Sequence, residues 1–185
     1  MDLSFWTKAS PMRRRMYTVI FIFLLALILT IIGALIPVDH STAQQISNQL
    51  NQTVQQNKSN GTLPEYIFLN NFPICLAMFI PIVGPIFGFI VLFDTGYAIS
   101  ALAQVQGVPS LLLVFAELLT PVFWIEFAAY SIAIAESIWL TRRIFRFRAY
   151  LIKEELRNTL ILIGVCAGLL AIGAIVEAWL ISIGV

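Results

Sequence analysis

The sequence predicts an all-α protein, a polytopic membrane bundle of about five transmembrane helices with broken central helices. Three observations carry this. Of 185 residues, 59% are hydrophobic and only 11% charged, with a mean hydropathy of +0.90; a soluble domain of this size is about one quarter charged. Long apolar runs alternate with two basic stretches and one polar stretch. Ten of the eleven Lys and Arg fall within residues 1–16 and 142–157, leaving only Lys58 between them.

Each element follows in order. Residues 1–16 form a short basic N-terminus with Lys8, Arg13, Arg14 and Arg15. Residues 17–37 are apolar and, at about 1.5 Å per residue, long enough to cross a hydrocarbon core of roughly 30 Å. A basic flank before an apolar run also describes a signal peptide, and Ser41–Ala43 resembles a cleavage site. The length of the run favours a retained signal anchor.

Residues 38–65 are rich in Gln, Asn, Ser and Thr and read as a polar loop. Ile46, Leu50 and Val54 recur every four residues, which fits a short amphipathic helix starting near Ser41 or Thr42. A flexible Gln/Asn loop fits the composition equally well. Asn51, Asn57 and Asn60 each open an N-x-Ser/Thr sequon, candidate glycosylation sites if this segment faces outward.

Residues 66–141 form a central membrane region of about three crossings, punctuated by Pro73, Pro81, Gly84, Pro85, Gly88, Gly96 and Pro121. Proline removes a backbone donor and kinks or ends a helix, so a break is expected near Pro81–Pro85. Residues 142–157 are a basic segment at the membrane interface, and 158–183 the last transmembrane helix. The positive-inside rule places the N-terminus and 142–157 in the cytoplasm, residues 38–65 outside the cell, and the C-terminus outside, in the plasma membrane.

The chemistry-bearing residues are few. One histidine, His40, excludes a site needing several imidazoles, and no metal or cofactor is expected. Cys75 and Cys166 lie in apolar segments and read as small apolar residues. The intramembrane polar candidates are Asp94, Glu117, Glu126 and Glu136, with Glu177 near the outer end. A carboxylate at a bilayer centre costs about 2.5–3.5 kcal/mol on insertion scales, so it faces the protein interior, protonates or finds a partner. A proton or cation path and neutral interhelical hydrogen bonding are both open. Asp94, with Thr95 and Gly96, is expected where kinked or unwound backbone supplies donors.

On a helical wheel, Glu126, Ala129, Ala133, Glu136 and Ser137 fall in one arc of roughly 100°. Small residues there permit close packing, whereas Ala135 lies about 180° from Glu126 and is expected off the contact. Gly164 and Gly168, continued by Ala171, form a second packing row. Arg142, Arg143, Arg146 and Arg148 alternate with aromatics beside a span, which points to anionic lipid headgroups rather than nucleic acid.

The segment "YIFLNNFPICLAMFIPIVGPIFGFIVLFDTGYAISALA" resembles the first half of the stage II sporulation protein M family: Asn70 and Asn71 open it, Gly84 and Gly88 supply a glycine-rich middle, and Asp94–Gly96 stands near the family's Asn-Gly step. "WIEFAAYSIAIAESIWL" is similar to the second signature through Glu126, Ala129, Ala133 and Ala135, although Val122 and Phe123 replace its His-Gly. The resemblance covers about residues 66–140. It implies a multi-span helical protein acting through partners; in spore-forming bacteria such proteins belong to a septal complex that remodels cell wall. The sequons and the Gln/Asn-rich segment would suit an archaeal source.

The expected function is a non-catalytic membrane subunit or scaffold, embedded in lipid and assembled with other membrane proteins. The alternatives are a small transporter or channel component using the carboxylates, and an accessory subunit of a membrane oxidoreductase or monooxygenase whose cofactors lie in other chains.

Overall fold

Ser10 and Pro11 start the first helix earlier than the apolar run suggests. The Ser10 hydroxyl accepts the Arg13 amide, and Pro11 occupies a first-turn position where its missing N–H costs nothing. Helix α1 therefore spans Pro11–Ala34, and Arg13–Arg15 belong to it rather than to a tail before it. The structure is a computed structural model that describes residues 10–145 and 149–184, with residues 11 and 149–155 described by backbone alone.

The polar stretch is a helix, not a loop. Asp39 caps α2 (His40–Asn60), accepting from the Ser41 hydroxyl at 2.6 Å and the Thr42 amide at 3.0 Å. These hydrogen bonds, the one from the Ser41 hydroxyl above all, hold the exposed Asp39 carboxyl well below the usual carboxylate range. Asp39 thus takes the capping position that the sequence assigned to Ser41 or Thr42. At the far end Gly61 adopts φ +70°, the left-handed cap that glycine accepts without steric cost. Ala43 and Ser47 are buried and Ile46 and Val54 half-buried, but Leu50 is exposed. Burial comes from packing on the fourth helix, where Val38, Ala43 and Ala101 form one cluster. Asn51, Asn57 and Asn60 all lie on α2, and the Asn57 side chain donates to the Thr53 carbonyl and accepts from the Thr62 hydroxyl.

Helix α3 (Leu63–Met78) carries Pro73 inside it. A tight turn over residues 79–82 follows, and α4 runs unbroken from Val83 to Gln106. Pro85 falls in the first turn of α4, where the N–H has no helical partner in any case. The break therefore sits just before the Gly84–Pro85 pair. Gly107, at φ +67°, ends α4. Helix α5 (Ser110–Leu119) is short and apolar, and Thr120 and Pro121 separate it from α6 (Pro121–Phe145). Helix α7 is Ala149–Ile183. Residues 142–157 are thus the ends of α6 and α7 and not a separate segment, with 146–148 outside the described residues.

Hydrogen bonds fix the direction of each pass. Lys58 Nζ donates to the Ile181 carbonyl, placing the start of α3 beside the end of α7. The Ser137 hydroxyl donates to the Ile80 carbonyl, and Thr141 Oγ1 accepts the Ile82 amide, placing the end of α3 beside the end of α6. The Ser100 hydroxyl donates to the Ile36 carbonyl, so α1 and α4 end together. Helices α1, α4 and α7 run one way through the bundle, and α3 and α6 return. Four of these (Met12–Ala34, Val83–Gln106, Pro121–Phe145 and Leu156–Ile183) are long and apolar enough to cross a membrane. Helix α3, with 16 residues, spans only about 24 Å.

Helix α6 is the axis of the bundle. Val122, Phe127, Ala129, Tyr130, Ser131, Ala133, Ile134, Ala135 and Leu140 are all buried. It touches α1, α3, α4, α5 and α7. This corrects the single packing face read from the sequence: Ala133 and Ala135 are 0% and 2% exposed, because neighbours surround α6 instead of lying along one stripe.

Candidate functional site

The polar groups inside the bundle form two separate clusters. At the end carrying the arginines, Glu136 is 2% exposed and its Oε2 accepts from Arg15 Nη1 at 2.8 Å. The Thr159 hydroxyl donates to Glu136 Oε1 at 2.8 Å. Helices α1, α6 and α7 are therefore joined through one carboxylate. A buried charge is tolerated when it is paired and its remaining lone pairs are occupied, and Glu136 meets both conditions. No Lys or Arg lies within the apolar segments that hold the intramembrane acids. The partner comes from the first turns of α1, 121 positions away in sequence.

The second cluster lies toward the α2 end. Asn71 Nδ2 donates to Glu126 Oε1 at 2.6 Å, linking α3 to α6. Glu177 lies near the end of α7, and Glu117 near the end of α5, just before α6 begins. Gly173 of α7 faces Glu126 and Ile125, and a β-carbon there would stand 4.0 Å from Glu126 Cγ. Glu126 and Glu177 are half-buried and Glu117 is exposed. Among the described residues no three His, Cys, Asp or Glu side chains converge closely enough to hold a metal ion.

Asp94 belongs to neither cluster. It lies midway along the continuous α4, exposed, on the stripe of outward Ile82, Ile86 and Ile90. The backbone there is neither kinked nor unwound, which corrects the expectation of local donors around Asp94–Gly96. With no proline nearby, Thr95 merely returns its hydroxyl to the Val91 carbonyl. Among the described residues Asp94 has no hydrogen-bond or ion-pair partner.

The small residues also divide. Ala129, Ala133 and Ser137 are buried to 0%. The Ala129 carbonyl accepts from the thiols of Cys75 and Cys166, at 3.9 and 3.4 Å, where α3, α6 and α7 meet. Gly164 and Gly168 have nothing within 4 Å of a built β-carbon, and Ala171 is half-buried. Their row therefore faces outward and joins no helices within this chain. Close approach is made instead by Gly33 and Gly96, where a β-carbon would collide with the carbonyls of Phe93 and Thr30, and by Gly84 and Gly88 against α3 and α6. The Thr30 hydroxyl donates to the Leu92 carbonyl across the same seam. Isolated glycines inside apolar helices were the available signal for this seam; no sequence signal pairs Arg15 with Glu136 or Asn71 with Glu126.

Of the predicted headgroup residues, Arg142 lies over the Trp139 indole at 5.5 Å and Arg143 is half-buried beside it in sequence. Arg146 and Arg148 lie outside the described residues.

No curated protein and no solved structure matches the chain. The sequence profile described as Stage II sporulation protein M matches residues 19–181, from α1 to the end of α7 and well beyond the stretch that carries the motif resemblance. Together with the four apolar helices this makes the protein a multi-pass membrane protein, and the chain belongs to the stage II sporulation protein M family.

Proposed function

We propose that this chain is a non-catalytic membrane subunit that assembles with other membrane proteins, and that the outward face of α4 around Asp94 receives a partner helix. The observation that supports this is a carboxylate exposed midway along an apolar span with no partner among the described residues. Lipid offers no hydrogen-bond donor, and an acid left there costs about 2.5–3.5 kcal/mol. A second helix presenting a donor or a cation opposite Asp94 removes that cost. Ile82, Ile86 and Ile90 supply an apolar row for it to pack on. The basic end of the bundle faces the cytoplasm in this reading, because Arg13–Arg15, Arg142 and Arg143 all gather there.

Purification from native membranes in a mild detergent tests the proposal. The wild-type chain should retain partner proteins in fixed ratio, Asp94→Asn should retain them too, and Asp94→Leu should lose them while keeping its own melting temperature. Retention of the same partners by Asp94→Leu would refute it.

A transport role is the second reading, and the half-buried Glu126, held by Asn71 where α3 meets α6, favours it. Cation or proton flux through the chain reconstituted alone, abolished in Glu126→Gln with the fold intact, would replace the scaffold reading with this one.

A further inference from the structure

Between α1, α6 and α7 lies a groove of about 580 Å³, within the roughly 300–1,000 Å³ typical of small-molecule sites. Its wall changes character along its length. Arg15, Trp139 and Asn158, one from each helix, line it at the basic end. One or two turns deeper the lining is Val19, Ile132, Ile161 and Leu162, while Met12 and Met16 flank Arg15 on α1. Residue order along α6 and α7 sets this gradient, since Trp139 and Asn158 lie nearer the basic end than Ile132, Ile161 and Leu162.

The polar end is built for an anion. Two guanidinium groups lie over the Trp139 indole, Arg15 at 5.6 Å and Arg142 at 5.5 Å from its centroid. The acid that lines the groove, Glu136, accepts from Arg15 and Thr159 and is 2% exposed, so the Arg15–Glu136 pair is neutral overall and the net positive charge at this end comes from Arg142 beside it. Arg142 is exposed and makes no ion pair among the described residues. Trp139 Nε1 is buried and has no acceptor among the described residues.

We infer that this groove binds one anionic phospholipid, with an acyl chain along Met16, Ile132 and Leu162 and its phosphate at the mouth, between Arg15 and Asn158 of the lining and Arg142, which lies outside the lining against Trp139. A basic pocket between transmembrane helices is a known form of headgroup recognition. The apolar depth separates this from headgroups merely gathered at a basic surface, because the groove takes a chain as well as a phosphate.

Native mass spectrometry of the purified full chain tests the site, using phosphatidylglycerol and phosphatidylcholine with identical acyl chains at equal concentration. The wild type should retain one phosphatidylglycerol in preference to phosphatidylcholine, and Arg142→Ala should weaken that preference about five-fold, the worth of one arginine at an anionic headgroup. Ile161→Trp, which fills the groove, should lose both lipids with its melting temperature retained. Lys58→Ala, at the opposite end of the bundle, should change nothing. Equal retention of the two lipids by the wild type would overturn the inference. So would a phosphatidylglycerol preference surviving both Arg142→Ala and Ile161→Trp, which would assign the lipid to the general basic surface. If Ile161→Cys is shielded from maleimide only when another protein co-purifies, the groove belongs to a partner helix and the lipid site is refuted.

Discussion

At Gly96 a β-carbon would collide with the Thr30 carbonyl, and at Gly33 with that of Phe93; at Gly164 and Gly168 it would meet nothing. The first pair closes the seam between α1 and α4, while the second lies on the outer surface of α7. Carboxylates divide in the same way. Glu136 is enclosed by Arg15 and Thr159, whereas Asp94 faces outward midway along α4. Small residues and acids in apolar helices therefore have no fixed role here. In the interior they complete contacts within the chain, and on the surface they are available to lipid or another protein. Since lipid tails are as apolar as leucine, burial of apolar area distinguishes the two regions poorly, and steric fit and polar pairing distinguish them well.

The largest test of this contrast is leucine at each glycine. Gly96→Leu should cost about 3 kcal/mol, the upper end of what overpacking costs, and should reduce the monodisperse fraction in detergent sharply. Gly164→Leu and Gly168→Leu should leave the melting temperature of the isolated chain within the scatter of surface substitutions, about 0.5 kcal/mol. Comparable losses at Gly96 and Gly164 would erase the distinction between seam and surface.

Next comes the enclosed acid. Glu136→Ala removes the partner of Arg15 and the acceptor of Thr159. Breaking a buried pair costs about 3–5 kcal/mol, and the 23% exposure of the Arg15 side chain lowers the expectation to about 2 kcal/mol. Glu136→Gln, which keeps an acceptor for Thr159, should lose less. Differential scanning fluorimetry in detergent reads both, and an unaffected Glu136→Ala would show that the cluster contributes nothing to the fold.

A smaller effect separates one buried face from a helix buried all round. Ala133→Leu and Ala135→Leu should each destabilise by about 1–3 kcal/mol, since both sites are enclosed. A clear loss at Ala133 with none at Ala135 would restore the single stripe read from the wheel.

The smallest effect is expected at Asp94. Asp94→Asn and Asp94→Leu should both melt within about 0.5 kcal/mol of the wild type when the chain is purified alone. A marked drop would mean that Asp94 has a role inside this chain after all.

The helical membrane architecture was legible because it follows from composition and from the lengths of the apolar runs, which no tertiary contact can change. The turns near Pro81 and Pro121 were legible for a similar reason: proline acts on its own backbone. The α2 helix was only half legible, since its polarity suits a loop as well as a helix, and its packing on Ala101 and the Asp39 cap decide between them. The candidate acids were visible as residues but not as sites. Glu136 and Arg15 are far apart in the chain, and local pattern cannot say which helices become neighbours.

The sequence by itself determined that this chain is a helical membrane protein and where its positive charge collects, whereas of the five crossings it suggested, four helices among the described residues are long and apolar enough to span. These depend on transfer free energies summed over local segments. The tertiary structure alone decided which acids are paired, which glycines are contacts, and which face of each helix is left for something else. Those outcomes depend on the order and rotation of helices about α6, and that arrangement is fixed by close packing between residues remote in sequence.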